Sequence, residues 1–167
     1  MIHVYTGTGK GKTTAAIGLA IRAAGAGLNV YICQFAKKRP TAEERILRNI
    51  KNITLERFGQ HNFISTPPGH KDKEIARAAF QRITKILKKE CYQLIILDEI
   101  NIILSLKIVT PEEILRIIKP YCKKTEFIFT GRNAPSKIVK NADLVSEITE
   151  IKHYFNKGTK ARRGIEF

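Results

Sequence analysis

Apolar positions along the chain fall into two alternating patterns. Short runs rich in β-branched and aromatic residues occur at Ile2 to Tyr5, Val30 to Phe35, Ile53 to Phe58, Leu94 to Leu97, Glu126 to Thr130 and Leu144 to Ile151. These predict strands, and the Leu94 run is apolar throughout. Helical patterns lie between them. Thr13 to Ala26 is Ala-rich and is closed by Gly25 and Gly27. From His70 to Glu90, apolar residues at Ile75, Ala79, Ile83, Ile86 and Leu87 repeat with the helical period. Thr41-Ala42-Glu43-Glu44 has capping-box spacing and opens a helix to Asn49. Thr110-Pro111-Glu112-Glu113 caps another to Ile118, with proline at the first helical position. Ser136 to Asn141 reads as a short helix, 59–70 as irregular, and 152–167 as a basic tail.

Apolar strands separated by helices predict a mostly parallel sheet covered on both faces. The expected class is α/β, a RecA-like P-loop NTPase three-layer sandwich, formed by one domain over 1–167. A chain of 167 residues suits one domain. At this length, about 70% of the unfolded surface becomes buried. No internal repeat, low-complexity stretch or linker interrupts it.

Composition adds one unusual feature. Thirty Lys and Arg stand against fifteen Asp and Glu, for a net charge of +15. A surface so charged attracts nucleotides, nucleic acid or an acidic protein; a Lys-rich solvated surface is the other reading, because the basic residues are scattered. Cys33, Cys91 and Cys122 are widely spaced beside apolar segments, which predicts buried thiols in a reducing compartment. No signal peptide is evident before the first strand, and no apolar run nears the ~20 residues of a membrane helix. A cytoplasmic protein is expected.

The sharpest chemistry lies at Gly7-Thr8-Gly9-Lys10-Gly11-Lys12-Thr13-Thr14, between the first strand and the first helix. Glycines let backbone N–H groups converge on phosphate oxygens, and a helix N-terminus adds its positive end. Lys12 can reach terminal phosphates and the Thr13 hydroxyl can ligate Mg²⁺. Thr6 stands where such loops ordinarily begin with glycine. Lys10 adds charge within the loop. Asp98 and Glu99 follow an apolar strand, at the edge where ligands of open α/β sheets bind. Together with Thr13 they are the candidate ligands of Mg²⁺ or Mn²⁺. In hydrolytic P-loop proteins the second acid often activates water; a transferase need not use it so.

The run Val4 to Ala16 resembles the start of the P-loop type ATP:corrinoid adenosyltransferases, whose loop lacks the same glycine. The resemblance continues through Gln34-Phe35 and Lys37, Leu97-Asp98-Glu99-Ile100, the block Thr130-Gly131-Arg132-Asn133-Ala134-Pro135, Ala142 to Glu147, and the tail to Gly164-Ile165-Glu166-Phe167. It covers nearly the whole chain. It implies transfer of the 5′-deoxyadenosyl group of ATP to Co(I) of a corrinoid, with release of triphosphate, in adenosylcobalamin biosynthesis or salvage. Cobalt is then the nucleophile, and no side chain is needed as acid or base. In the family the nucleotide lies reversed on the loop, which would bind a triphosphate leaving group. Arg132 and Asn133 are implied to contact the nucleotide or corrinoid, although Asn133 also suits a turn.

The loop after the third strand is implied to meet the corrinoid. Phe58 and Phe63 are candidates for the wall below cobalt, and His61 for a ligand or a surface hydrogen bonder; the tryptophan common in this family loop is absent here. Family members carry further sequence before the first strand that covers the site, so closure here is expected from the tail or a partner subunit. The tail's Lys152, His153, Lys157, Lys160, Arg162 and Arg163 would meet corrinoid amides, phosphate, or an acidic reductase such as a flavodoxin-like electron donor; otherwise they are solvated. The family suggests a homodimer. Two other functions fit the loop alone: a RecA-like or kinase-like ATPase associated with nucleic acid, and a non-catalytic nucleotide sensor. Against nucleic acid, no aromatic–basic interleaving appears and tryptophan is absent.

Overall fold

Each apolar run becomes a strand of one sheet. The computed structural model describes residues 1–37, 40–59 and 67–166. The strands are β1 (Ile2–Thr6), β2 (Val30–Phe35), β3 (Ile53–Phe58), β4 (Leu94–Asp98), β5 (Glu126–Thr130) and β6 (Leu144–Glu147). The helices are α1 (Lys12–Gly25), α2 (Ala42–Leu47), α3 (His70–Leu87), α4 (Ile100–Ser105), α5 (Pro111–Ile118) and α6 (Ser136–Asn141). The sheet order is β3-β2-β4-β5-β1-β6, and every pairing is parallel. The expected α/β sandwich forms.

Alternate residues of each central strand face opposite layers, as the two-residue period requires. Val30 and Ile32 join Ala16, Ala20 and Ala23 of α1 and Leu47 of α2 on one side. Tyr31, Cys33 and Phe35 join α3, α4, α5 and α6 on the other. The small alanines let α1 lie close on the sheet, which sets its N-terminus over the strand ends. All six residues of central β2 are buried, whereas all four of edge strand β6 are exposed.

Several local expectations change. The Thr110 box forms: Thr110 Oγ1 accepts from the Glu113 N–H at 3.2 Å, and Glu113 accepts from the Thr110 N–H at 2.8 Å. The Thr41 box does not, since no side chain caps α2. Glu44 is instead drawn to Arg48 at 2.7 Å and Arg57 at 3.4 Å, charged donors that outcompete a backbone amide. Helix α4 was not expected. Its six residues, INIILS, have no periodicity distinct from a strand run. Of the three thiols only Cys33 is buried; Cys122 is half-buried, and Cys91, in the turn before β4, is exposed. The last strand stops at Glu147 rather than Ile151. Beyond it the Ile148 N–H donates to Thr6 O at 2.9 Å, and Ile148 O accepts from the Gly9 N–H at 2.7 Å, so the chain turns across the glycine loop.

Candidate nucleotide and metal site

The site lies where β1, β4 and β5 end. Helix α1 starts after Gly11, at φ 115°, with no side-chain cap and no acid in its first turn. Its leading N–H groups are therefore not taken up by a cap or by an acid of its own first turn. The Lys12 ammonium folds back into the loop, donating to Gly9 O at 2.6 Å and Gly7 O at 2.9 Å. Burial lowers the Lys12 pKa, the Arg132 charge lowers it further, and Glu99 opposes both.

Gly7 and Gly9 answer to packing as much as to a ligand. Gly7 has φ 96°, and a Cβ there would stand 2.4 Å from Ile148 O; at Gly9 the same oxygen would be 2.9 Å away. Thr6 is still a strand residue, paired with Glu147, which is why the glycine comes one place late.

Asp98 is the hub. It is 1% exposed and accepts four hydrogen bonds. Thr13 Oγ1 (2.8 Å) and Thr130 Oγ1 (2.7 Å) donate to Oδ1. Gln34 Nε2 (3.1 Å) and Lys37 Nζ (2.7 Å) donate to Oδ2. Strand register explains part of this, since Gln34 pairs with Asp98 across β2 and β4. Thr130 reaches over from β5 and also accepts from the Glu99 N–H at 2.9 Å.

Glu99 follows at φ 64°, a left-handed turn that sends its carboxylate into the cavity. Burial raises its pKa and the Asp98 charge adds to the rise, while Lys37, Lys12 and Arg132 counter it. Gly131, at φ 122°, gives way to this carboxylate: a Cβ there would be 3.1 Å from Glu99 Oε2. Buried Asn101 donates to Gly131 O at 3.1 Å and fixes the turn.

These groups border a cavity of about 830 Å³. Of the residues singled out in the sequence, Thr8 through Thr14, Glu99 and Arg132 line it. Gly7 lies behind, under Ile148, and Asp98 lies beneath Thr13 and Lys37. Asn133 does not line the cavity; at φ 57° it serves the left-handed turn before Ala134-Pro135. Phe58 is half-buried and packs against the core rather than lining the cavity. His61 and Phe63 lie outside the described residues.

The tail forms the far wall, through Glu150, His153 and Gly164 to Glu166. Glu166 accepts from Lys10 Nζ at 2.9 Å, from the Arg162 N–H at 2.6 Å, and from the Tyr154 hydroxyl. Lys10, expected among phosphates, is thus held by Glu166 and by Tyr154 Oη at 3.0 Å. The Tyr154 and Glu166 bonds raise its pKa. Arg162 stacks 4.8 Å from the Tyr154 ring centroid.

The residues suit a hard divalent cation. Hydroxyl and carboxylate oxygens are its preferred donors, and Asp98 already attracts a cation, the Lys37 ammonium. Gln34 Oε1, buried beside it, has no hydrogen-bond partner among the described residues. Among those residues no three His, Cys, Asp or Glu side chains gather, so substrate oxygens would complete the shell.

Gln34, Lys37, Thr130 and Asn101 carried no role in the sequence reading. A glutamine in an otherwise apolar strand, beside an acid-bearing one, was the available signal for the first.

Comparison with known proteins agrees with the geometry. The sequence model of the family described as ATP:corrinoid adenosyltransferase BtuR/CobO/CobP matches residues 1–167. A corrinoid adenosyltransferase from Sinorhizobium is 33% identical over 173 residues, covering 100% of this chain and 80% of its own. One from Escherichia coli is 32% identical over 167 residues, covering 100% and 85%. Among solved structures, a KaiC-like protein from Pyrococcus horikoshii aligns with TM-score 0.49 and 15% identity, over 90% of this chain and 74% of that one. From the strand-loop-helix and the match along its full length, the chain belongs to the ATP:corrinoid adenosyltransferase family.

Proposed function

We propose that the protein transfers the 5′-deoxyadenosyl group of ATP to the Co(I) of a corrinoid and releases triphosphate, using the cavity above α1. The observation that carries this is the meeting of Thr13 with Asp98 at 2.8 Å beside the uncapped start of α1. It puts a triphosphate-binding loop and an acidic oxygen cluster on one wall.

The backbone N–H groups of Lys10 to Thr14 that face the cavity, with Lys12 and Arg132, bind the triphosphate. Their charge favours its departure, because the leaving group gains negative charge as the C5′–O bond breaks. Thr13, Asp98 and Glu99 would hold Mg²⁺ or Mn²⁺, which supplies further charge neutralisation to the phosphate oxygens when bound. Cobalt supplies the electron pair, so the chain's work is orientation and water exclusion, with no side chain taking a proton. The tail wall of His153, Ile165 and Glu166 limits solvent entry on the side opposite Asp98.

Exposed Lys152, Lys157, Lys160 and Arg163 give the tail a basic face suited to an acidic, flavodoxin-like electron donor. Free thiols, and the absence among the described residues of a helix long and apolar enough to cross a membrane, support a cytoplasmic enzyme. A homodimer follows the family.

The test is direct. The protein is incubated with ATP, Mg²⁺ and chemically reduced cobalamin or cobinamide, and the visible spectrum is followed for a cobalt–carbon bond. Formation of adenosylcorrinoid with one triphosphate per turnover is expected. Phosphate release without adenosylcorrinoid would instead support a P-loop ATPase.

A further inference from the structure

Lys37 stands apart from the groups assigned above. It does not belong to the glycine loop, yet its ammonium lies 2.7 Å from Asp98 Oδ2 and its side chain is 20% exposed. It lines the same cavity as Thr8 to Thr14. The other donors to Asp98 differ in freedom. Gln34 is fully buried and locked opposite Asp98 by strand register. Thr130 is fully buried and also holds the Glu99 N–H. Thr13 and Lys37 are the two that reach the cavity.

We infer that Lys37 is a stand-in cation that becomes a triphosphate ligand: its ammonium neutralises Asp98 while no metal is bound, and turns to the leaving group when a divalent cation takes Asp98. The inference rests on the assignment of the metal to Thr13 and Asp98. A buried carboxylate without a cation is costly, which explains the ammonium beside Asp98. A divalent cation beside Thr13 and Asp98 would crowd that ammonium with like charge. Asp98 Oδ2 stays satisfied by Gln34 when Lys37 leaves. The backbone of Lys37 packs against Gly59, so closely that a Cβ there would be 2.4 Å from Lys37 N. The side chain turns from that root toward the glycine loop, which borders the same cavity. Lys10 is held by Glu166 and Tyr154, so Lys37 supplies cationic charge that Lys10 does not.

Two binding measurements on the nucleotide-free protein test this, and neither requires turnover. Mn²⁺ binding is read from the free-ion electron paramagnetic resonance signal. Tripolyphosphate binding is read by calorimetry at saturating Mg²⁺. Lys37→Met should bind Mn²⁺ about tenfold tighter and tripolyphosphate about tenfold weaker, because one positive charge is removed from both equilibria. Lys37→Gln should repeat this pattern, and Lys37→Arg should stay near the native values. Unchanged or weaker Mn²⁺ binding, or unchanged tripolyphosphate binding, in a folded Lys37→Met or Lys37→Gln protein overturns the inference. Asp98→Asn separates the two levels. If it leaves Mn²⁺ binding intact, the metal assignment fails and the role of Lys37 with it. If it abolishes Mn²⁺ binding while Lys37→Met changes nothing, the role of Lys37 alone fails.

Discussion

Asp98 and Glu166 face the same glycine loop from opposite sides of the cavity, and they are held in opposite ways. Asp98 ends a central strand, is 1% exposed, and takes four hydrogen bonds from three separate segments. Glu166 lies in the tail, and its partners Lys10, Tyr154 and Arg162 are at least partly exposed. Bonds of the first kind are costly to break, because each lost partner leaves a buried polar atom unmet. Bonds of the second kind are replaced by water and weakened by salt. One wall of the cavity is thus held by buried hydrogen bonds, and the other by bonds that water and salt reach.

The sharpest way to break this contrast is at the fixed wall. Lys12→Ala should lower adenosyl transfer about 100- to 1000-fold, the range seen when a preorganised charge-stabilising group is removed. Its circular dichroism should match that of the native chain; full activity would detach the triphosphate from this loop. Thr130→Val removes one hydroxyl that serves both Asp98 and the Glu99 N–H. It should cost about 1–3 kcal/mol in urea unfolding, with Thr130→Ser recovering most of the loss.

Gly7→Ala probes the seam between the walls. Its φ of 96° and the closeness of Ile148 O predict about 1–3 kcal/mol of strain. Faster hydrogen exchange at the Gly9 amide should accompany it, since that N–H is bonded to Ile148 O.

The smallest effect belongs to the tail. Glu166→Gln should leave the urea midpoint unchanged but speed trypsin cleavage after Arg162 and Arg163. Hydrogen bonds from Tyr154, Arg162 and Lys10 hold the Glu166 carboxyl below the usual range. A lowered carboxyl pKa gives stability that is present above the unfolded value and lost as pH falls toward the folded one. The Lys10 shift is upward, so its share is present below the unfolded value and lost only as pH rises past the raised one. Tail attachment should therefore be flat between about pH 5 and 10. The amide resonance of Arg162, which donates to Glu166, would show this, and 1 M salt should shift it where pH does not.

How much of this was legible depended on how local each feature is. The strands, α1, α3 and the Thr110 box follow from spacing within a few residues. Thr41 shows the limit: its pattern is equally good, but Arg57, thirteen residues from Glu44, claims the carboxylate along with Arg48. Helix α4 was missed because a short buried helix has no polar face to reveal its period. Cys91 looked buried from its apolar neighbours, and only its place in a turn exposes it.

By itself, the sequence determined the alternation of strands and helices, the loop that starts α1, and the two acids after an apolar strand. Those depend on backbone preference and side-chain period. The tertiary structure decided which distant residues meet. Thr13 and Asp98 are 85 positions apart and come together although β5 lies between β4 and β1, the strand that leads into the helix of Thr13. Lys37 and Thr130 converge on the same carboxylate, and Tyr154 and Glu166 of the tail meet Lys10 of the glycine loop. No local pattern encodes these meetings, because they follow from strand order and from the need of one buried charge for partners.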